Sequence, residues 1–275
     1  MSSTDPTRPV LRILVALDSL PATGSGLDAL AALTGGMEAE LLGLFVEDAR
    51  LLELAALPFS REVTTGNASH RQLDPERLQR QMRAQASQAR ELLVRSATRL
   101  RAQHSFRVAR GEIVQELLEA SRQADTVVVG LRRWSAPGVQ QLVNESARTV
   151  LLLRDGWGSG RSVVVLYEDT PAARSALLTA ARVARAEGLE LCVLVPQRTG
   201  HGPDRTEREI AEQLRGHARS VRFRPITAVD AALIGDLARA EGARLLVLPA
   251  DAMRMDRHEL QALMDRGRCS LAFAR

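Results

Sequence analysis

The chain has 275 residues, room for one large or two medium domains. Hydrophobic residues make up 45% and aromatic residues only 3%, so a core must be built from Leu, Val and Ala. All 37 basic residues are arginine, and against 33 acids the net charge is only +4, too mild to argue for a nucleic-acid partner.

The opening stretch, MSSTDPTRPVLR, lacks the apolar core of a signal peptide, and no apolar run nears the roughly 20 residues that span a bilayer. A cytoplasmic protein without a membrane partner is expected. Cys192 and Cys269 both lie in apolar, strand-like runs and read as buried reduced thiols. Neither they nor the five histidines have metal-ligand spacing.

Taken in chain order, RILVALD at 12–18 predicts a buried strand, and SGLDALAALTGG a helix that stops at Gly35. AELLGLFV at 39–46 is a second strand. The segment ARLLELAALPFSREV then interrupts, followed by a polar loop and a long helix opening at LDPERL. Asp74 suits its N-cap and Pro75 its first position. Leu78, Met82, Ala86, Ala89, Leu93, Ala97 and Leu100 form its apolar stripe, while Arg77, Arg80, Arg83, Arg90, Arg95, Arg99 and Arg101 occupy the other faces. A helix and strand follow in GEIVQELLEASRQADTVVVG at 111–130, and TVLLLR at 149–154 closes the half.

After the glycine-rich linker DGWGSG at 155–160 the plan repeats. RSVVVLY at 161–167, ARSALLTAARVARAEG ending at Gly188, and LELCVLVP at 189–196 correspond to the opening elements. A shorter helical counterpart lies near 204–219, DAALIGDLARAEGARLLVLP spans 230–249, and SLAFAR closes at 270–275. Apolar strands alternating with amphipathic helices predict parallel sheets covered on both faces. The expectation is an α/β protein of two tandem, doubly wound, five-stranded domains, 1–156 and 157–275.

This arrangement resembles the universal stress protein family in its tandem form. The resemblance rests on RILVALDSLPATGSGLDALAAL, AELLGLFVED, ASRQADTVVVGLRR and TVLLLR. EDARLLELAALPFSREV resembles a bacterial subgroup with an enlarged first domain. The resemblance implies two parallel sheets that pair through their last strands, 149–154 and 270–275, as an intrachain pseudo-dimer.

ATP-binding members of that family carry G-x2-G-x9-G followed by Ser or Thr after the fourth strand, because glycines let backbone N–H groups approach phosphate oxygens. Counted from Gly130, the later positions hold Arg133, Val143 and Asn144, so only the first matches. In the second half Pro249 stands where Gly130 does. The usual ATP loop is therefore expected to be missing, with no cofactor bound; ATP or AMP is the alternative. Should an anion bind the first half, the candidates are Asp18, the backbone near Val46, Gly130, and the side chains of Arg132 and Arg133. Simple offset makes Tyr167 the repeat partner of Asp18, with Asp169 two positions on.

Two imitations carry less weight. Gly24-Ser25-Gly26-Leu27-Asp28-Ala29 fits G-x-G-x-x-A ahead of Glu47-Asp48, but six residues separate Leu17 from Gly24, whereas a dinucleotide fingerprint begins at the strand end. The arginine-rich helix could suit RNA or a membrane surface, but arginine is the only cation this chain uses, and a solvated face is the simpler reading. No catalytic set is visible. The expected function is that of a non-enzymatic universal-stress-type protein acting through protein contacts with an unidentified partner, a homodimer included. The alternative is a sensor of a nucleotide or other small anion.

Overall fold

Strands apolar on both sides have to be covered on both faces, and the helices between them provide the cover. The computed structural model describes residues 10–17, 25–57, 59–63, 70–72, 74–131, 136–154, 157–197, 203–252 and 256–275. The first half runs β1 (Leu11–Ala16), α1 (Ser25–Thr34), β2 (Ala39–Asp48), α2 (Ala49–Ala56), the short strands β3 (Arg61–Val63) and β4 (His70–Gln72), and α3 (Pro75–Leu100). It continues through β5 (Gln103–Gly111), α4 (Ile113–Ser121), β6 (Thr126–Gly130), α5 (Ala136–Glu145) and β7 (Thr149–Leu153). The second half runs β8 (Ser162–Leu166), α6 (Pro171–Glu187), β9 (Glu190–Pro196), α7 (Pro203–Gln213), β10 (Val221–Ile226), α8 (Ala231–Ala240), β11 (Ala243–Pro249), α9 (Arg257–Gly267) and β12 (Ser270–Ala274).

Ten strands form one sheet in the order β10-β9-β8-β11-β12-β7-β6-β1-β2-β5. Pairing within each half is parallel. The halves meet where β12 lies antiparallel to β7, with Leu271 opposite Leu152, Ala272 opposite Leu151 and Phe273 opposite Val150. The closing strands pair as the resemblance implies.

Alternation along the strands sends neighbouring side chains to opposite faces. Ile13, Val15, Val163 and Val165 point into one core, under α1, α3 and α6. Leu14, Val127, Val164 and Leu246 point into the other, under α4, α5, α8 and α9. Both cores run through the seam without a break, and α1 packs on α6 as α5 packs on α9. Helix α6 buries Ala173, Ala176, Ala180, Ala181 and Ala184, small side chains that let it lie close to the sheet. The linker joins in: Trp157 is buried in the first core.

Helix α3 starts as its sequence predicts, with the Asp74 carboxylate accepting from the Glu76 N–H at 3.0 Å. Met82, Ala86, Ala89, Leu93 and Ala97 are buried, while Leu78 and Leu100 are half-buried. The seven arginines assigned to its other faces are all exposed. Arg80 pairs with Glu76, Arg95 with Glu91, and Arg99 with Asp28. Three features go beyond the sequence reading. The interrupting segment contains a helix, α2. A small antiparallel β3–β4 ladder follows it. The helical counterpart in the second half ends at Gln213.

The arginine closing each half has a shared task. The Arg154 guanidinium donates to the Met264 carbonyl at 2.7 Å, in the last turn of α9. The Arg275 guanidinium donates to the carbonyls of Val143 at 2.7 Å and Asn144 at 3.1 Å, in the last turn of α5. Each satisfies orphan carbonyls and opposes the helix dipole of the other half. Replacing Arg275 with Ala should lower the unfolding free energy by about 1–2 kcal/mol, with Arg154→Ala adding a similar amount. Urea titrations followed by circular dichroism check this; a loss confined to one half of the protein would contradict it.

Candidate functional site

In open α/β sheets, ligands bind beyond the carboxyl ends of the strands where the strand order reverses. These points lie between β1 and β6 in the first half, and between β8 and β11 in the second.

At the first, Val15 lies opposite Val128, so the ends of β1 and β6 come level near Leu17 and Gly130. Gly130 pairs with Leu153 on its other side. Val46 is buried in β2, opposite Ala109 of β5. The structure thus brings Gly130 and Val46 to the same end of the sheet. Asp18, Arg132 and Arg133 lie outside the described residues. Beyond Val46 the chain is committed to its own contacts. The Arg110 guanidinium donates to Glu47 at 2.8 Å, and Asp48 caps α2 by accepting from the Arg50 N–H at 2.9 Å. Arg50 then pairs with Glu112 at 2.8 Å. The two acids that imitate a dinucleotide fingerprint are thus an ion-pair partner and a helix cap.

At the second mouth, side chains bond within the β8–α6 turn and, in one case, across to the end of β11. Tyr167 donates its hydroxyl to Asp169 at 3.4 Å, and Arg174 donates to the same carboxylate at 3.1 Å. The hydrogen bond to Asp169 raises the Arg174 pKa further above its ordinary value. Thr170 donates to Asp251 at 3.3 Å while capping α6. Asp169 adopts a left-handed backbone, φ 58°, which Asp tolerates in such turns.

The sheet register corrects the repeat partner of Asp18. The Leu17 N–H donates to the Leu44 carbonyl at 2.9 Å, and the Tyr167 N–H makes the equivalent bond to Leu194 at 3.0 Å. Tyr167 therefore matches Leu17, and the residue matching Asp18 is Glu168. The offset of Tyr167 from Asp18 fails by one because Arg12 lies within β1 whereas Arg161 precedes β8. The ladder instead equates Arg12 with Ser162.

Of the other buried polar groups, Glu241 has structural partners, whereas Trp157 Nε1 and Arg182 Nε have no hydrogen-bond partner among the described residues. Glu241 is 5% exposed and bonds both Arg222 and Arg224. Among the described residues, no group of three or more His, Cys, Asp or Glu is arranged to hold a metal ion. No described helix is long and apolar enough to cross a membrane.

No family model matches the sequence, and no curated protein matches it. Solved structures do. A universal stress protein from Archaeoglobus fulgidus DSM 4304 superposes with a TM-score of 0.68 at 14% identity, covering 96% of each chain. The fold is that of universal stress proteins. A Pseudomonas aeruginosa PAO1 protein of unknown function gives a TM-score of 0.60 at 13% identity, over 96% of this chain and 92% of that one. The cytoplasmic domain of a prokaryotic cation chloride cotransporter gives 0.57 at 13%, over 96% and 95%. The universal stress protein fold is thus shared by chains in different settings, and function has to be argued from the sites.

Within this fold both cysteines lie deep. Burial pushes the thiols of Cys192 and Cys269 each up to about 11, from an ordinary value of 9.0. At pH 8 neither should react with a thiol reagent in the native protein, and both should react in denaturant. The unfolded thiols ionise first as pH rises, so stability holds below about pH 9 and falls towards 11. Thiol titration and melting curves across that range check both statements.

Proposed function

We propose that this chain is a non-enzymatic, cytoplasmic universal-stress-type protein that works through protein contacts and lacks the ATP loop of its fold. The observation that carries this reading is the apolar surface of α2. Leu51 and Leu54 lie one helical turn apart and are exposed, as is Leu57 at the extended C-cap, and Phe59 beyond them is 91% exposed. A row of large apolar side chains facing water stabilises nothing within the monomer and suits a protein partner. The helix is held in place, since Ala55 is buried and α2 packs on α3 and β5.

Two further points support it. Gly130 is the single position of the phosphate pattern that this chain keeps, and Pro249, which has no N–H to offer a phosphate, replaces it in the second half. At the second mouth Tyr167 and Arg174 are bonded to Asp169, and Thr170 to Asp251, so these polar groups already have partners within the chain.

Native mass spectrometry of the purified protein should give the mass of the bare chain, and calorimetry with ATP and AMP should show no saturable heat. A stoichiometric nucleotide, lost on Asp18→Ala or Arg133→Ala, would overturn the reading in favour of a sensor in the first half. The double substitution Leu54→Asp with Phe59→Asp should leave the melting temperature within a few degrees and abolish specific partner recovery. Partners retained at wild-type levels would remove α2 from the contact.

A further inference from the structure

The two halves share a plan, so a place where they differ in charge at one equivalent position is informative. Strand β6 is preceded by Ala124-Asp125, and strand β11 opens with Ala243-Arg244. Thr126 pairs with Ile13 as Leu245 pairs with Val163, so counting back along the strand sets Arg244 against Asp125, although in the ladder Ala243 is the residue opposite Ser162. In the first half the Asp125 carboxylate accepts from the Arg12 N–H at 2.8 Å and closes the foot of the sheet. In the second half a cation stands there instead.

The backbone is built around that cation. The β8–β11 register shifts between Ala243 and Leu245, leaving Arg244 as the extra residue of a bulge. Bulges in parallel pairs are rare and re-aim a side chain. The Arg244 guanidinium donates to the Gly160 carbonyl at 3.1 Å and bonds Glu187, which fixes its direction. Gly160 packs so closely that a Cβ there would lie 2.3 Å from the Arg244 backbone nitrogen. The linker is thus clamped against the bulge.

Beside it lies a cavity of about 370 Å³, bounded by the linker, the end of β7, the start of β12 and the last turns of α8 and α9. Four arginines line it: Arg154, Arg239, Arg244 and Arg268. Among the described residues, neither Asp nor Glu lines it. Arg154 is steadied by its bond to Met264, which uses one of its five N–H donors. Arg239 faces Asp236 at 3.5 Å on the surface, and Arg268 makes no ion pair or side-chain hydrogen bond among the described residues. Two helix C-termini contribute about half a negative charge each, and Glu187 offsets Arg244. An excess of roughly two positive charges remains, which matches a phosphate monoester dianion. Arginine forks fit phosphate oxygens in pairs. Ser159, Ser270 and the glycine backbones of 158, 160 and 242 supply further polar contacts suited to hydroxyl groups. Among the described residues no aromatic ring lines the cavity, so these offer a nucleobase nothing to stack on.

We infer that this cavity, at the junction of the halves, binds a compact polyhydroxylated phosphate monoester of the sugar-phosphate class. The site is separate from both strand-order mouths, and the inference stands independently of the reading proposed for them.

Calorimetry on the full chain at low salt tests it, with glucose 6-phosphate, inorganic phosphate, glucose and AMP as probes. Glucose 6-phosphate should bind saturably at one per chain and more tightly than inorganic phosphate, and neither AMP nor glucose should bind. Arg268→Glu and Arg239→Glu, both at exposed positions, should each weaken binding roughly tenfold or more. Arg95→Glu on α3 should leave it unchanged, and melting curves verify that each variant is folded. Absence of saturable binding by both glucose 6-phosphate and inorganic phosphate would overturn the site, as would binding that neither cavity substitution alters or that Arg95→Glu weakens equally. Inorganic phosphate or AMP binding as tightly as glucose 6-phosphate would overturn the sugar-phosphate class.

Discussion

The antiparallel pairing of β7 with β12 spans three residue pairs, yet it joins two five-stranded sheets into one of ten strands. Its strength lies in what it aligns. With those strands in register, α1 meets α6 on one face, α5 meets α9 on the other, and two hydrophobic cores run through the seam. The same register carries Arg154 to the end of α9 and Arg275 to the end of α5. Each half therefore satisfies helix carbonyls that the other leaves open. Shifting the pairing by one residue would turn Leu152 and Leu271 to the wrong faces and withdraw both guanidinium groups together.

A frame fixed this way leaves the sheet ends free to diverge, and the two halves have used that freedom. The first retains Gly130 at the end of β6 and an acid at its foot. The second has Pro249 at the end of β11, a Thr170–Asp251 bond across its mouth, and an arginine at its foot. Because β7 and β12 run in opposite directions, the carboxyl end of one half lies beside the foot of the other. Arg154 can therefore share a cavity with Arg244 and Arg268 although they come from opposite ends of their respective strands.

Much of this was legible in the residues. Apolar strands separated by capped amphipathic helices announce the alternation, and Asp74-Pro75 marks the start of α3 to the residue. The closing runs TVLLLR and SLAFAR resemble each other because they do the same work. What was not legible depends on register or on assembly. Strands of three residues such as β3 and β4 are too short for a period to show. The match of Tyr167 to Leu17 follows from hydrogen bonds in the ladder, which aligned arginines cannot reveal. The replacement of Asp125 by Arg244 was in plain sight, in ADTVVVG against ARLLVLP, but its meaning depends on a bulge and on arginines from separate segments. Of the first-half site residues, the fold brings Gly130 and Val46 to one end of the sheet, while the exposed row on α2 needed a structure to show which side of that helix is covered.

The seam also sets an order of events during synthesis. Strand β7, TVLLL, has no partner on its outer side until β12 exists, and the chain from Leu152 to Leu271 must be made in between. At ordinary rates of translation that interval is on the order of ten seconds. For its duration an apolar run with open backbone donors and acceptors is a template for any other strand, including the β7 of a neighbouring nascent chain. The contact that unites the finished protein is therefore also the place where two unfinished copies could join wrongly.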